Sequence, residues 1–361
     1  MIKPIRKFLW GIGLFFMLVI LIAGVFFLVL TVTEYNPKCV TNPEIHGQGQ
    51  VFNPSAGEFT FLTWNVGYAG LGKELDFFYD GGKMVIPEKS FFTRYLQGIK
   101  SEVHSNDTID FLMIQELDIK SRRAHYTDEL SEITQELPGF CNVFGKNYDS
   151  WFVPLPVYQP MGYVKAGIAT FSRFRPDSAK MVPFGTEYRW PNGLFLLKRC
   201  FLVMKFRLGN GKDLVVINTH NSAYDSTGEL RKNELHRLSS YMLREYQKGN
   251  YIVTGGDWNS NPFGFHPGKI ISGDLVTIID VPVDASFFPG WKFVFDTLYP
   301  SNRYTDMPYV KGKTRTTLID FFVVSPNITV KGVKTILSDF KNSDHQPVVM
   351  KIKLNSGERA K

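Results

Sequence analysis

Thr63-Trp64-Asn65, Gln115-Glu116, Asn218-Thr219-His220, Gly255-Gly256-Asp257-Trp258-Asn259, Ile319-Asp320 and Ser343-Asp344-His345-Gln346-Pro347 each adjoin a short apolar run in this 361-residue sequence. Singly, each has a bland reading, because a carboxylate at a strand end is usually a cap or turn residue and one histidine before a loop is usually on the surface. Their number and shared placement at strand termini, where ligand sites lie in sheet-based folds, point instead to a site. Carboxylate and amide oxygens without thiolate ligands suit a hard octahedral cation, Mg²⁺ or Mn²⁺, and argue against a structural zinc. A zinc hydrolase site would need several clustered histidines, for which His220 and His345 are the candidates. A hard cation neutralises a phosphate oxygen, while histidine and aspartate move protons and orient an attacking water. That combination is the chemistry of phosphoester hydrolysis.

Strands must carry these residues. Phe59–Asn65, Asp110–Gln115, Ala166–Ser172, Cys200–Arg207, Asp213–Thr219, Tyr251–Gly255, Ile319–Val324 and Val348–Leu354 are short, mostly rich in Val, Ile, Phe and Thr, and are expected as strands. Two amphipathic helices are expected. Glu88–His104 places Phe92, Tyr95, Leu96, Ile99 and Val103 on one face, and Glu229–Gln247 does the same with Leu235, Leu238, Met242 and Tyr246. Eight strands with interspersed helices imply layered sheets with helices outside, without giving the strand order.

Phe8–Leu30 is different in kind: 23 residues without an ionisable side chain, about 35 Å as a helix and long enough to cross a hydrocarbon core of roughly 30 Å. Lys3, Arg6 and Lys7 precede it and the first charge after it is Glu34. The positive-inside bias then keeps residues 1–7 cytoplasmic, makes 8–30 the transmembrane anchor and places the rest outside the cytoplasm. A cleaved signal peptide would have a shorter apolar core ending in a small-x-small site, which Leu28-Val29-Leu30 does not offer. Residues 31–57, with scattered Pro and Gly and no sustained period, are expected as a flexible tether, followed by a domain over 58–355 and a tail over 356–361. The formal charge is +7; with the three basic residues before the anchor set aside, 38 basic and 34 acidic side chains leave a net of +4. That excess is too mild to argue for nucleic acid. Cys39, Cys141 and Cys200 have no metal-binding spacing; in an oxidising compartment two could pair, Cys141 with Cys200 before the others, and the sequence leaves open whether they do.

The series TWN, QE, NTH, GGDWN, IDFF and SDHQP, in that order over residues 58–355, strongly resembles the endonuclease/exonuclease/phosphatase superfamily of metal-dependent phosphoesterases. GDxN followed downstream by SDHxP is specific as a pair. The resemblance implies an α+β fold, a four-layer αββα sandwich of two packed mixed β-sheets between helices. It also implies roles. Glu116 resembles the principal metal ligand, with Asn65 and Asp344 at the same Mg²⁺ or Mn²⁺; Asp257 resembles the residue that orients or deprotonates water. Asn259 and His220 would contact the phosphate, His220 also as a second proton donor, and His345, oriented by Asp320, would donate to or polarise it. The strand Ala166–Ser172 resembles a structural strand below the site, with Arg173 outside the chemistry.

Loops choose substrates on such folds. Three inserts are candidates: Tyr68–Pro87, Trp151–Tyr163 and the aromatic-rich Phe287–Tyr309. Their aromatics could stack bases or enter a lipid interface, although packing over the sandwich is the commoner use of such side chains. The substrate is therefore left open between extracytoplasmic nucleic acid and a phospholipid or inositol-phosphate headgroup. A non-catalytic binding module or a structural membrane protein on the same fold is the alternative class.

Overall fold

The computed structural model describes residues 2–53, 57–186, 188–225, 227–266, 276–277 and 281–355. Helix α1 (Ile2–Val32) comes first. The strands of the first half are β1 (Glu58–Asn65), β2 (Phe111–Asp118), β3 (Cys141–Val153), β4 (Gly162–Ser172), β5 (Ser178–Pro183), β6 (Cys200–Arg207) and β7 (Asp213–His220). They are followed by β8 (Tyr251–Asp257), β9 (Val276–Thr277), β10 (Lys292–Val294), β11 (Asn302–Arg303), β12 (Arg315–Thr317), β13 (Asp320–Val324), β14 (Ile328–Thr335) and β15 (Val348–Leu354). Helices α2 (Lys89–Ser105), α3 (Glu129–Glu136) and α4 (Glu229–Gln247) fall between strands.

Two six-stranded mixed sheets result, ordered β14-β15-β1-β2-β4-β3 and β10-β13-β8-β7-β6-β5, with a small β11-β12-β9 sheet beside them. Phe61, Phe111 and Met113 from the first sheet interleave with Val216, Val253 and Phe322 from the second in an apolar interior. Their sequence neighbours Leu62, Leu112 and Ile114 point the other way and meet Phe92, Leu96 and Ile99 of α2. Val215, Ile217 and Ile252 likewise meet Leu235, Leu238 and Met242 of α4. Central strands apolar on both faces, as here, are the mark of a sheet covered on both sides. The expected four-layer sandwich is thus what the chain forms.

All eight expected strands are present, and both expected helices. β3, β5, β14, the short strands β9 to β12 and helix α3 are additions. β3 contains Lys146, Asn147 and Asp149, and β14 lies at a sheet edge with five of its residues half-buried or exposed on either side of Gly332, so neither shows a clean apolar period. Helix α3 is short and starts at Asp128, whose carboxylate accepts from Ser131 N.

One expectation is corrected, and the open question of the cysteines is answered. The stretch following α1 does not hang free as a tether: Thr41 bridges Met181, His46 bridges Asn142 and Gln50 bridges Phe174, while the Tyr35 hydroxyl donates to Lys146 O at 2.8 Å. β5 and β3 are the outer strands of the two sheets, and this segment satisfies backbone groups that such edges otherwise expose. Residues 54–56 and the tail 356–361 lie outside the described residues. Cys141 and Cys200 are not paired. Both are buried free thiols in different sheets, and Cys141 Sγ donates instead to Phe174 O at 3.0 Å.

Helix α1 is long and apolar enough to cross a membrane over Ile5–Val32. Its final turns pack on the domain, with Phe26, Phe27 and Leu30 joining Val85, Tyr148, Val153, Met161, Leu194 and Phe195 in one apolar cluster.

Candidate active site

Strand register builds most of the site. In the second sheet His220 is paired with Asp257 across β7 and β8, and Asp257 with Asp320 across β8 and β13, so three functional side chains stand abreast. Gly256 permits the close approach of β7 and β8: its φ is +153°, and a Cβ there would lie 1.9 Å from Thr219 O. In the first sheet Asn65 is paired with Gln115, and the register then shifts between Ile114 and Leu117, leaving Glu116 in a bulge at φ +58°. The bulge turns the Glu116 side chain out of the strand's alternation toward the site. Below, Gln115 Nε2 donates to Asn218 Oδ1 at 2.7 Å and Asn218 Nδ2 to Ala169 O at 2.9 Å, tying the sheets together in the interior.

The two halves meet at Asn65. Its Nδ2 donates to Asp257 Oδ2 at 3.0 Å and to Glu116 Oε1 at 3.2 Å, while its Oδ1 accepts from Gly67 N at 2.9 Å. His345 is fixed on three sides: Trp64 Nε1 donates to its carbonyl at 3.0 Å, Nδ1 lies 2.8 Å from Asp320 Oδ2, and the Asn302 amide lies 2.9 Å from Nε2. His220 Nε2 lies 3.4 Å from Asp257 Oδ2 and 3.7 Å from Glu116 Oε1. Asn259 donates its backbone N–H to Asp257 Oδ1 at 2.9 Å, and its side chain is held by Asn221 O at 2.8 Å. All eight residues expected at the site therefore gather in one place.

Their electrostatics differ by design of position. Burial opposes charge on His345, but Asp320, Asp344 and Asp257 overrule it and raise the imidazole to about 10. His220 goes the other way: burial first, then the positive charges of Arg199 and His345, hold it well below the usual histidine range. One histidine is thus an imidazolium and the other neutral at physiological pH. Burial also lifts Asp257, with the Asp320 charge adding to the effect against His345. Asp344 is pushed up by burial, opposed by His345 and reinforced by Glu116, to about 7. A carboxylate that burial keeps from ionising, with the Glu116 charge adding to the effect and with an amide and no sulfur nearby, suits a hard divalent cation. Asp257, Asp320 and His345 also present donor atoms within 4.8 Å of one another. There the Asp320–His345 hydrogen bond engages Asp320 Oδ2 and His345 Nδ1.

Six of the eight, Glu116, His220, Asp257, Asn259, Asp344 and His345, line a cavity of about 330 Å³. Its walls add residues that sequence reasoning did not single out. Arg199, just before β6, is buried, and its Nη1 has no hydrogen-bond partner among the described residues. Arg123 is neutralised by Asp118 at 2.7 Å and lies over the Tyr68 ring at 3.7 Å. Arg303 is spoken for by the carbonyls of Leu71, Gly72 and Leu75. No local pattern marks Arg199 or Asn302; only the folded neighbourhood does. Tyr79, Tyr148, Met161, Leu196 and Leu197 complete an apolar wall. Most of the aromatic inserts pack inward: Tyr68, Phe77, Phe288 and Trp291 are buried. Trp151 to Val153 extend β3 and Gly162-Tyr163 begin β4, so the second insert is the tip of a β-hairpin. Arg173, as expected, is away from the site, paired with Asp110 at 3.6 Å.

Comparison with known proteins places these observations in context. The sequence model described as the Endonuclease/Exonuclease/phosphatase family matches residues 62–345. No curated protein sequence matches the chain. Among solved structures, an endonuclease/exonuclease/phosphatase from Beutenbergia cavernae superposes with a TM-score of 0.56 at 18% identity, covering 84% of this chain and 73% of that one. One from Bacteroides vulgatus gives 0.52 at 16% identity, covering 82% and 99%. ANGEL2, a 2′,3′-cyclic phosphatase in complex with adenosine-2′,3′-vanadate, gives 0.54 at 15% identity, covering 88% and 99%.

Proposed function

This chain belongs to the endonuclease/exonuclease/phosphatase family, and on that premise we propose that it is a divalent-metal-dependent phosphoester hydrolase held at a membrane by its N-terminal helix. The observation that carries the reading is that Glu116, His220, Asp257, Asn259, Asp344 and His345 line one cavity, with Asn65 and Asp320 hydrogen-bonded to Asp257 and His345 behind them. Glu116 and Asp344, with Asn65 beside them, would hold Mg²⁺ or Mn²⁺. Such a cation supplies positive charge to a phosphate oxygen.

The remaining steps belong to the chain. Asp257, raised by burial and oriented by Asn65 and Asn259 N, accepts a proton from the attacking water. His345 carries its proton toward the phosphate while Asp320 fixes ring orientation through Nδ1. His220, neutral and with both ring nitrogens unpartnered among the described residues, contacts a phosphate oxygen as a donor. Asn259 and Arg199 position the ester, the guanidinium through charge-assisted hydrogen bonds.

For the anchor, support comes from the packing of its last turns. Leu30 is 3% exposed, so the helix end is part of the domain's apolar interior, and removal of the segment as a leader would leave a hole there. The basic N-terminus then faces the cytoplasm and the catalytic domain lies outside it. A nuclease acting on external DNA or RNA is the competing reading. A cavity of about 330 Å³ with an apolar wall and a domain of net charge near +4 support a small headgroup over a duplex.

Full-length protein in detergent with Mg²⁺ or Mn²⁺, assayed on bis(p-nitrophenyl) phosphate, plasmid DNA, RNA, sphingomyelin and inositol phosphates, tests the reading. Turnover of at least one ester that is lost in Asp257→Asn is expected. Cation binding without turnover of any would leave a binding module.

A further inference from the structure

The domain holds α1 below the end of its apolar span. Phe26 has its ring 6.1 Å from Trp151 and 6.2 Å from Phe152, Phe27 is 5.8 Å from Trp190, and Trp190 Nε1 donates to Thr31 Oγ1 at 3.3 Å. With the apolar run ending at Leu30 and a rise of about 1.5 Å per residue, Phe26 lies about 6 Å inside that end. Whatever touches Phe26 must then sit at the boundary between headgroups and acyl chains, where indole and aliphatic side chains are at home.

The surface at this place has the matching chemistry. The segment from Trp151 to Tyr163 contains no acidic or basic residue. Within it Val157 is 82% exposed, Tyr158 73%, Trp151 46% and Leu155 41%, and Trp190 nearby is 64% exposed. Arginines border it: Arg122 holds the hairpin through Pro160 O at 2.7 Å, and Arg189 is exposed beside Trp190. An apolar tip bordered by cations is the profile of a segment that enters a phospholipid interface. On its inner side the same hairpin reaches the active site, because Tyr148 and Met161 both pack in the cluster with Leu30 and line the catalytic cavity.

We propose that the β3–β4 hairpin tip and Trp190 form a second membrane-contact site, separate from the transmembrane helix, which seats the catalytic domain against the bilayer and makes a phospholipid headgroup in that bilayer its substrate. The proposal rests on the phosphoesterase and anchor readings above. The occupant is a phospholipid interface and no protein, because the patch is continuous with helix residues that themselves require hydrocarbon. α1 by itself confines the domain to the surface. The hairpin fixes which face it turns downward.

Two measurements on the full-length protein, reconstituted in vesicles of phosphatidylcholine and phosphatidylglycerol, test this. In a Cys39→Ser background, where the remaining cysteines are buried, an environment-sensitive fluorophore is attached at Val157→Cys, with Lys331→Cys on the far sheet edge as control. Nitroxide on the upper acyl chain should quench the Val157 label and aqueous iodide the Lys331 label. Equal iodide access to both overturns the docking site, whether or not any ester is hydrolysed. The double variant Val157→Asp/Tyr158→Asp should lose about tenfold or more in the rate on vesicle phospholipid, with no change on bis(p-nitrophenyl) phosphate. An equal loss on both substrates, or no loss on phospholipid, overturns the proposal. If the wild-type protein hydrolyses neither, the phosphoesterase reading has failed, and the fluorescence result still decides the docking.

Discussion

Asn65 donates a hydrogen bond to Asp257 across 3.0 Å, joining the end of the central strand of one sheet to the end of the central strand of the other. The same nitrogen reaches Glu116 at 3.2 Å. One amide therefore sets the spacing between the carboxylate assigned to water activation and the one assigned to the cation. Asn65→Ala should lower kcat on a soluble diester by about 10²-fold, as expected when a positioned reacting group is misplaced, with KM changed much less. Asn65→Asp, which restores size and adds a third carboxylate, should not rescue it. Steady-state kinetics at saturating Mg²⁺ decides this, and a full rate in Asn65→Ala would remove the residue from the site's architecture.

The Asp320–His345 pair predicts a pH effect with a definite sign. Asp320 raises His345, so in Asp320→Asn burial is opposed by Asp344 and Asp257 alone and the imidazolium is lost at a lower pH. The alkaline limb of the kcat profile should move toward acid, and His345→Ala should lose about 10²–10⁴ in rate at all pH values. A profile whose alkaline limb stays in place in Asp320→Asn would contradict the pairing.

Glu116 and Asp344 predict a stability linked to cation concentration. Bound Mg²⁺ at about 100 times its dissociation constant stabilises the fold by about 2.7 kcal/mol, visible as a rise in Tm that chelator reverses. Glu116→Gln should weaken Mg²⁺ binding by about 10–100-fold and cut that stabilisation to about 0.4–1.4 kcal/mol at the same concentration. Calorimetry and thermal denaturation check it without reference to turnover.

Arg199 is expected to act on binding. Loss of a charge-assisted hydrogen bond worth about 1.5–3 kcal/mol in Arg199→Ala raises KM for a soluble phosphoester about 10-fold or more, and Arg199→Lys recovers part of it. Because the guanidinium helps hold His220 neutral, the alanine variant should also raise the His220 pKa toward the ordinary histidine value, observable in its ring proton shifts.

Acid sensitivity should come in part from Glu245. Burial raises it, but hydrogen bonds and ion pairs from Lys205 at 2.6 Å and Lys248 at 2.8 Å overrule burial and hold it below the usual carboxylate range. A depressed folded-state value stabilises the fold above the unfolded carboxylate range, and that contribution is lost as pH falls through the depressed value. Glu245→Gln should lower Tm at neutral pH and flatten its decline below about pH 4.3. Parallel melting curves for both proteins at every pH would refute the assignment.

Local pattern was enough to read the layers and to pick out the residues proposed for the site. Asp257, Asp320, Asp344, Glu116 and His345 follow or precede apolar runs short enough to be strands, and a carboxylate at that place needs no tertiary information to be noticed. The apolar faces of α2 and α4 likewise announced helices outside sheets, because a 3.6-residue period survives in any context. What tertiary structure decided concerns contacts between distant segments. Register placed His220, Asp257 and Asp320 abreast. The β2 bulge aimed Glu116, and Arg199 acquired its meaning from a pocket made by other strands. Residues 33–53, without any period of their own, turned out to pair with Met181, Asn142 and Phe174 because outer strands left backbone groups to satisfy. A period encodes a face and a strand end encodes a position, but partners across hundreds of residues are set by packing, which no local pattern records.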